Sequence, residues 1–412
     1  MPLQSVKRRG MRLTQTKSQF DAIVVGGGMV GSVLALALLE QGKDVLLLES
    51  ALPQEDWLAR PPLRVSAINL FSEDLLASLG VWQHILESSR CEFSQLATWD
   101  KPDSKLVFDA SEIGESHLGH LVRNEAIQLA AFKRFTESAI ASKLTVSQMA
   151  LESLEQDGTG VTVGLSDTNA QSSSRLQVRA KLIVGADGAM SRVRQLSQIG
   201  TSGWDYEQHC LSITIKTEFA TQAITWQEFQ PSGPKAFLPL SDGHACLIWY
   251  DAPRRIQELK GLSEQALKSE ILATFPPLPG EFSVIQSASF PLTRRQANHY
   301  YKNRVVLVGD AAHTINPLAG QGVNLGFQDV AKLRNKLESI DWADGQALEK
   351  VLKDYEFSRK NQARLMSGVM DACYRLFSNS GSIRTQLRNN LLKLANQSQW
   401  TKKQVLKKAV GL

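Results

Sequence analysis

Glycines 26, 28 and 31, in the run Gly26-Gly27-Gly28-Met29-Val30-Gly31, have the spacing G-x-G-x-x-G. That spacing serves the holding of a diphosphate. The first glycine permits a tight strand-to-helix turn, the second leaves room for a pyrophosphate against bare backbone, and the third lets helix and strand pack closely. Free N–H groups at the helix start then face the anion along the helix dipole. Glu49 follows Gly31 by 18 residues, where a carboxylate accepts hydrogen bonds from a ribose. Alone, the glycine pattern is weak and does not separate one dinucleotide from another.

Two later segments narrow it. Ala186-Asp187-Gly188 precedes Ser191, Arg192 and Arg194. A carboxylate on such a turn holds a loop or meets phosphates through neighbouring amides; an isolated Asp-Gly is usually just a turn. Gly309-Asp310 begins a longer run through His313 to Asn324. Asp310 is placed to bond a sugar-like hydroxyl. Gly320-Gln321-Gly322 opens a helix whose amides can face an anionic ring, and glycine lets the backbone lie against a flat cofactor.

These loops need elements to carry them. Residues 20–25 read as a buried strand, 29–40 as an Ala- and Leu-rich helix, and 44–48 as a second strand, which makes a βαβ unit. Residues 66–79 and 124–143 read as helices. Strands are expected within 144–163 and 176–184, with a turn around 166–174. From 209 to 251 the alternation is β-like, with turns at Pro231-Ser232-Gly233-Pro234 and Ser241-Asp242-Gly243, and it reads as an antiparallel sheet. Residues 262–275 are expected as helix, 282–290 and 304–308 as strands. Helices follow at 323–337, 347–377, 383–395 and 402–410.

In their order and spacing GGGMVG, GADGAMSRVR and GDAAHTINPLAGQGVNLG resemble the three FAD fingerprints of the class A flavoprotein aromatic hydroxylases, the group typified by para-hydroxybenzoate hydroxylase. The resemblance runs from about residue 20 to 340. It implies a mixed α/β fold, with a Rossmann-like FAD-binding domain interleaved with an antiparallel β-sheet substrate domain and closed by C-terminal helices. The division expected is 20–90, 120–200 and 291–345 for FAD, 91–119 and 201–290 for substrate, and 346–412 for the helical end, after a disordered basic extension at 1–19. It further implies that Gly26, Gly28, Gly31 and Glu49 hold the ADP half of FAD, and that Arg64 lies near flavin and pyrophosphate. Arg123 matches a variable position beneath the cofactor. Asp187 sits in the motif that touches both FAD and pyridine nucleotide, Gly309 and Asp310 lie on the ribityl chain, and Pro317, Gly320, Gln321 and Gly322 run along the isoalloxazine.

Trp226-Gln227-Glu228-Phe229, the segment from Gly233 to Leu240, and Phe290-Pro291-Leu292 are similar to the bacterial ubiquinone-biosynthesis hydroxylases. The segment from Trp249 to Ile256 and the final Lys-Lys-Ala-Val-Gly-Leu most resemble the branch acting on 2-octaprenyl-3-methyl-6-methoxy-1,4-benzoquinol. Most of these aromatics and prolines simply pack the sheet. The resemblance implies that NAD(P)H reduces the flavin and that O2 then forms a C4a-hydroperoxide, whose distal oxygen passes to an activated ring carbon. No nucleophile or metal is needed, and no catalytic acid or base is assigned; His313 reads as structural. Other readings are the same chemistry on another ring position or phenol, a flavin-bearing scaffold subunit of a quinone-synthesis complex, and a prenyl-chain reductase.

Composition agrees with a soluble globular chain of 412 residues, 43% hydrophobic and 21% charged. The four cysteines, Cys91, Cys210, Cys246 and Cys373, are far apart and suggest neither disulfides nor a zinc site, so a cytoplasmic location is expected. No run of about 18 apolar residues occurs. From Ala372 onward there are eight Lys and Arg and no acid, a local charge larger than the whole chain's +5. That end reads either as a solvated face or as a surface for anionic lipid or other ubiquinone-pathway enzymes at the inner membrane, with Leu392, Leu394, Trp400, Val405 and Leu406 as its apolar side. It does not point to nucleic acid.

Overall fold

The computed structural model describes residues 17–62, 64–167, 175–315, 322–377 and 399–412. Of the extension expected at 1–19, residues 1–16 lie outside the described residues, as do the helix at 383–395 and Pro317, Gly320 and Gln321. Lys17 pairs with Asp44 and Gln19 already belongs to a strand, so the ordered chain begins earlier than expected. The Gln19–Val25 strand is buried without interruption from Ala22 to Val25, the pattern of a strand covered on both faces. Val45–Leu48 pairs parallel on one side of it and Arg175–Gly185 on the other. Leu144–Ser147 and Val305–Leu307 extend the parallel run outward. Val161–Ser166 and Ala150–Gln156 are added antiparallel on the Arg175–Gly185 strand. The Met29–Glu40 helix crosses between the first two parallel strands and is buried from Gly31 to Leu39. It is apolar nearly all round because the Asn124–Arg134 and Gly322–Glu338 helices cover it on the side away from the sheet. Each large apolar side chain so buried contributes about 1.5–3 kcal/mol.

A second eight-stranded sheet runs in the order His313–Thr314, Phe282–Ala297, Thr201–Thr217, His244–Asp251, Lys235–Leu240, Ile224–Glu228, Gln95–Trp99, Leu106–Asp109. Every pairing is antiparallel except Ile224–Glu228 on Gln95–Trp99. The antiparallel expectation for 209–251 is therefore met, with one parallel step near the edge. One face of this sheet packs Ile213, Leu247, Trp249 and Phe237 against the Pro253–Lys260 and Glu264–Thr274 helices. Trp226 stacks on Phe237 with ring centroids 5.7 Å apart, so these aromatics pack the sheet as expected. A small third sheet, Val65–Asn69, Gly119–Arg123 and Arg90–Phe93, joins the two large ones.

Two of the expected elements need correction, and one helix is additional. Residues 66–79 are not one helix: Val65–Asn69 is a strand paired with Gly119–Arg123, and the helix is Leu70–Ser78. The switch falls at Asn69, whose side chain accepts a hydrogen bond from Ser72 N at 3.1 Å and so caps the helix. Residues 124–143 form two helices, Asn124–Arg134 and Ser138–Ala141. The chain turns between them so that Phe135 packs edge-to-face on Phe132 at 5.2 Å. Pro253–Lys260 is an additional helix, begun by the fixed φ of its proline.

Candidate active site

Three loops meet at the carboxyl ends of the parallel strands, where open α/β sheets bind ligands. Gly26 N donates to Leu48 O and Ala186 N to Val25 O, both at 2.8 Å, and Val308 N donates to Gly185 O at 3.0 Å. Gly26 has φ +97°, and a Cβ there would lie 2.4 Å from Ala186 O. A Cβ on Gly31 would lie 1.9 Å from Gly26 O. Both glycines are demanded by the protein's own backbone.

Gly28 is different. Its φ of −65° and ψ of −169° suit any residue, and nothing lies within 4 Å of an added Cβ. It precedes the Met29–Glu40 helix with no side-chain cap, so the helix begins in open space with N–H groups to offer. Glu49 ends its strand beside this opening, with Oε2 accepting from Gly27 N at 2.6 Å and Oε1 from Ala51 N at 2.8 Å. A carboxylate has lone pairs left for a sugar hydroxyl. Gln128 supports the turn by donating from Nε2 to Gly27 O at 2.8 Å.

Asp187 caps the short Arg192–Leu196 helix, accepting at Oδ2 from Arg192 N at 2.6 Å and Val193 N at 3.1 Å. Its other oxygen, Oδ1, is buried without a partner among the described residues. Arg194 ties this loop to the third, donating from Nη1 to Ala311 O at 2.9 Å and from Nη2 to Ala189 O at 2.7 Å. Burial lowers its guanidinium pKa, and nearby Asp187 opposes the shift.

In the third loop, Gly309 has φ +58° and its N–H donates to Asp329 Oδ2 at 2.9 Å. Asp310 is the next residue. Solvent reaches its side chain, yet the surrounding protein mass pushes its carboxyl up, with His313 and Arg64 pulling it back and Asp329 adding to the rise. Arg64 is exposed, and Gly322 is the first residue of the Gly322–Glu338 helix.

Arg123 sits apart from these loops in its contacts. Its guanidinium donates to Leu58 O at 2.9 Å, Trp57 O at 3.1 Å and Arg60 O at 2.8 Å. It therefore shapes the 57–60 segment that leads to Arg64. Thr214 Oγ1 donates to Pro62 O at 2.6 Å and Gln286 Nε2 to Pro61 O at 3.0 Å, which pins the same segment to the second sheet. Thr214 shares its sheet face with Ser212, whose Oγ lies 3.3 Å from Cys246 Sγ. Tyr206, Cys210, Tyr250 and Leu292 form an adjoining buried apolar group, with Phe229 and Phe290 packed against it. Burial raises the thiol of Cys210 well above its usual range and that of Cys246 to about 11, so both stay protonated at neutral pH.

His313 is buried, and its Nε2 donates to Asp329 Oδ2 at 2.7 Å. Arg359 Nε donates to the other oxygen of Asp329 at 2.5 Å. Asn324 donates from Nδ2 to Ala67 O at 2.7 Å and accepts at Oδ1 from Asn69 N at 3.2 Å. Gln128, Asn324, Asp329 and Arg359 organise the site and are absent from the sequence-derived set.

Space at Gly28, an uncapped helix start, an unpartnered Asp187 oxygen and an accessible Asp310 together fit FAD. Comparison with known proteins agrees. Residues 19–368 match the family model described as FAD binding domain. The chain is 38% identical to the 3-demethoxyubiquinol 3-hydroxylase of Escherichia coli (strain K12), covering 96% of this chain and 100% of that one. It is 32% identical to the mitochondrial ubiquinone biosynthesis monooxygenase COQ6 of Rattus norvegicus, covering 95% of this chain and 91% of that one. In fold it resembles p-nitrophenol 4-monooxygenase PnpA of Pseudomonas putida DLL-E4, with a TM-score of 0.76 at 20% identity over 95% of this chain and 98% of that one.

Proposed function

From the premise that this chain belongs to the FAD-binding-domain family of ubiquinone-biosynthesis hydroxylases, we propose that it hydroxylates the ring of a prenylated benzoquinol, using NAD(P)H and O2. The observation that carries this reading is the convergence of three distant loops around an opening at Gly28, with Asp310 reachable beside it. On this reading Gly26, Gly28, Gly31 and Glu49 hold the ADP half of FAD. Asp187, Gly309, Asp310 and Arg64 line the path toward the ring, and Gly322, with Pro317, Gly320 and Gln321, follows the ring itself. Arg123 acts through the segment it anchors. The expected division, with 20–90, 120–200 and 291–345 for the cofactor and 91–119 and 201–290 for the substrate, is kept as part of this proposal.

FAD held by these loops would supply the hydride acceptance and oxygen activation that ring hydroxylation with NAD(P)H and O2 requires. The chain's part is to position and to exclude water. Thr214 and Gln286 fix residues 61–62, and with them the approach of Arg64. The apolar group around Tyr250 and Leu292 offers a dry wall to a ring that its own hydroxyl already activates. Turnover of a short-chain 3-methyl-6-methoxyquinol under 18O2 is expected to give a product carrying one labelled oxygen, with quinol-stimulated NAD(P)H oxidation. Quinol-independent oxidation with no labelled product would leave a flavin-bearing scaffold as the better reading.

We also assign the C-terminal helix a role at the anionic inner-membrane surface where such a quinol resides. No helix among the described residues is long and apolar enough to cross a membrane. In the Gln399–Val410 helix, Leu406 and Val410 are buried in a core with Phe93, Phe108 and Leu121, so Leu406 does not belong to the outward apolar face expected for it. Leu392 and Leu394 lie outside the described residues. Trp400 and Val405 are exposed beside Lys403 and Lys408, a pairing of apolar and cationic groups suited to anionic lipid. Lys402 anchors the helix on Glu112 at 2.5 Å. A Trp400→Ser, Val405→Ser variant should keep its thermal midpoint and lose most of its co-flotation with phosphatidylglycerol vesicles. Undiminished flotation of that variant would count against the assignment.

A further inference from the structure

Outside the flavin loops, three side chains from separate elements converge. Glu73 projects from the first turn of the Leu70–Ser78 helix, His120 from the Gly119–Arg123 strand, and His117 from the segment just before it. Glu73 Oε2 lies 3.1 Å from His117 Nε2 and 2.9 Å from His120 Nδ1. All three ligand-type atoms lie within 4.8 Å of one another. The side chains are only 16%, 18% and 11% exposed for Glu73, His117 and His120, so the group is held by packing and is not a chance meeting of surface chains. Trp82 and His117 both stand edge-on to the His120 ring, at 5.0 and 4.9 Å.

The far nitrogens are also served. Ser116 Oγ is 2.9 Å from His117 Nδ1, and Glu92 Oε2 is 3.9 Å from His120 Nε2. The Ser116 hydroxyl fixes the orientation of the His117 ring, the usual support of a metal-bound histidine, while the more distant Glu92 carboxylate adds negative charge near His120. Two imidazole nitrogens and one carboxylate oxygen are a zinc donor set that leaves a fourth position open. Zinc bonds of about 2.0–2.2 Å place tetrahedral ligand atoms roughly 3.3 Å apart. The two separations from Glu73 Oε2 need only a few tenths of an ångström of opening to reach that value.

We propose that Glu73, His117 and His120 bind a divalent first-row transition metal, zinc in preference, which ties the Leu70–Ser78 helix to the Gly119–Arg123 strand. The bond would brace the small sheet that joins the two large ones. It would also fix the strand that ends in Arg123, and so the segment leading to Arg64. The site is separate from the oxygen-transfer chemistry and does not depend on which quinol is used.

The test uses untagged, FAD-loaded full-length protein, stripped with chelator, exposed to zinc chloride and desalted. Elemental analysis should find a single equivalent of zinc per chain, the thermal midpoint should rise with zinc, and X-ray absorption should show two imidazole nitrogens in the first shell. Glu73→Gln, which keeps a hydrogen-bond acceptor, should weaken zinc by about tenfold or more, and a His117→Asn, His120→Asn pair should abolish retention. Retention of zinc by that pair at the wild-type level, or no retained zinc in the wild type, overturns the proposal. Flavin content, read in the same samples, establishes that each variant is folded.

Discussion

Replacing Gly28 with valine is expected to give a folded protein that no longer holds FAD. The backbone at Gly28 lies in an ordinary extended region, and an added Cβ meets no protein atom within 4 Å. Valine is a poorer residue than glycine before a helix, so the apo-protein should lose about 1 kcal/mol at most. What valine fills is the opening at the amino end of the Met29–Glu40 helix, where a pyrophosphate needs bare backbone. FAD affinity should therefore fall by about a hundredfold or more, roughly 2.7 kcal/mol, as read by quenching of flavin fluorescence on titration. Gly31→Ala is the contrasting case. Its Cβ would lie 1.9 Å from Gly26 O, so it should damage the fold and the binding together. A Gly28→Val protein that bound FAD like the wild type would place the pyrophosphate elsewhere.

That contrast also marks how far a sequence alone can be read. The three glycine-rich loops were legible because each is local: the turn, the approach and the helix start lie within six residues of one another. The Met29–Glu40 helix follows from the same signals at its expected bounds. What local reading cannot supply is the partner across the fold. Gln128 supports Gly27 from 101 residues away, and nothing near either residue announces it. Val65–Asn69 became a strand because Gly119–Arg123 lies beside it, a tertiary choice that overrides a weak helical pattern. The cap at Asn69, with Glu73 following in the first turn, was a readable sign that the helix starts later. Asp329 and Arg359 were partly legible too. Asp329 stands four residues from both Leu325 and Leu333, and Arg359 four from Tyr355, each on the buried stripe of its helix. A charge in line with core residues asks for a buried counter-charge, though only the fold tells which.

Asp329→Ala is expected to destabilise the protein by about 3–5 kcal/mol, because it leaves the Arg359 guanidinium buried without its carboxylate. Asp329 is fully buried and Arg359 is 2% exposed. The carboxylate also accepts from Gly309 N and His313 Nε2, so its loss frees the turn that carries Asp310, and FAD affinity should drop along with the urea midpoint. Burial by itself would raise the Asp329 carboxyl, but His313 and Arg359 override it and hold the pKa below the ordinary value. A carboxyl depressed in the folded state gives stability that is complete above the unfolded pKa of about 3.9 and is lost as pH falls through the lower folded value. The gap between wild type and variant should thus stay constant from about pH 8 to 5 and close only below about pH 4. A gap that closed well above pH 5 would mean that a group other than the Asp329 carboxyl governs the cluster. If His313 is a member of this cluster and not a base for the substrate, His313→Gln should lower the midpoint yet leave the pH dependence of kcat unchanged. Loss of the acid limb of that profile would move His313 from scaffold to proton acceptor.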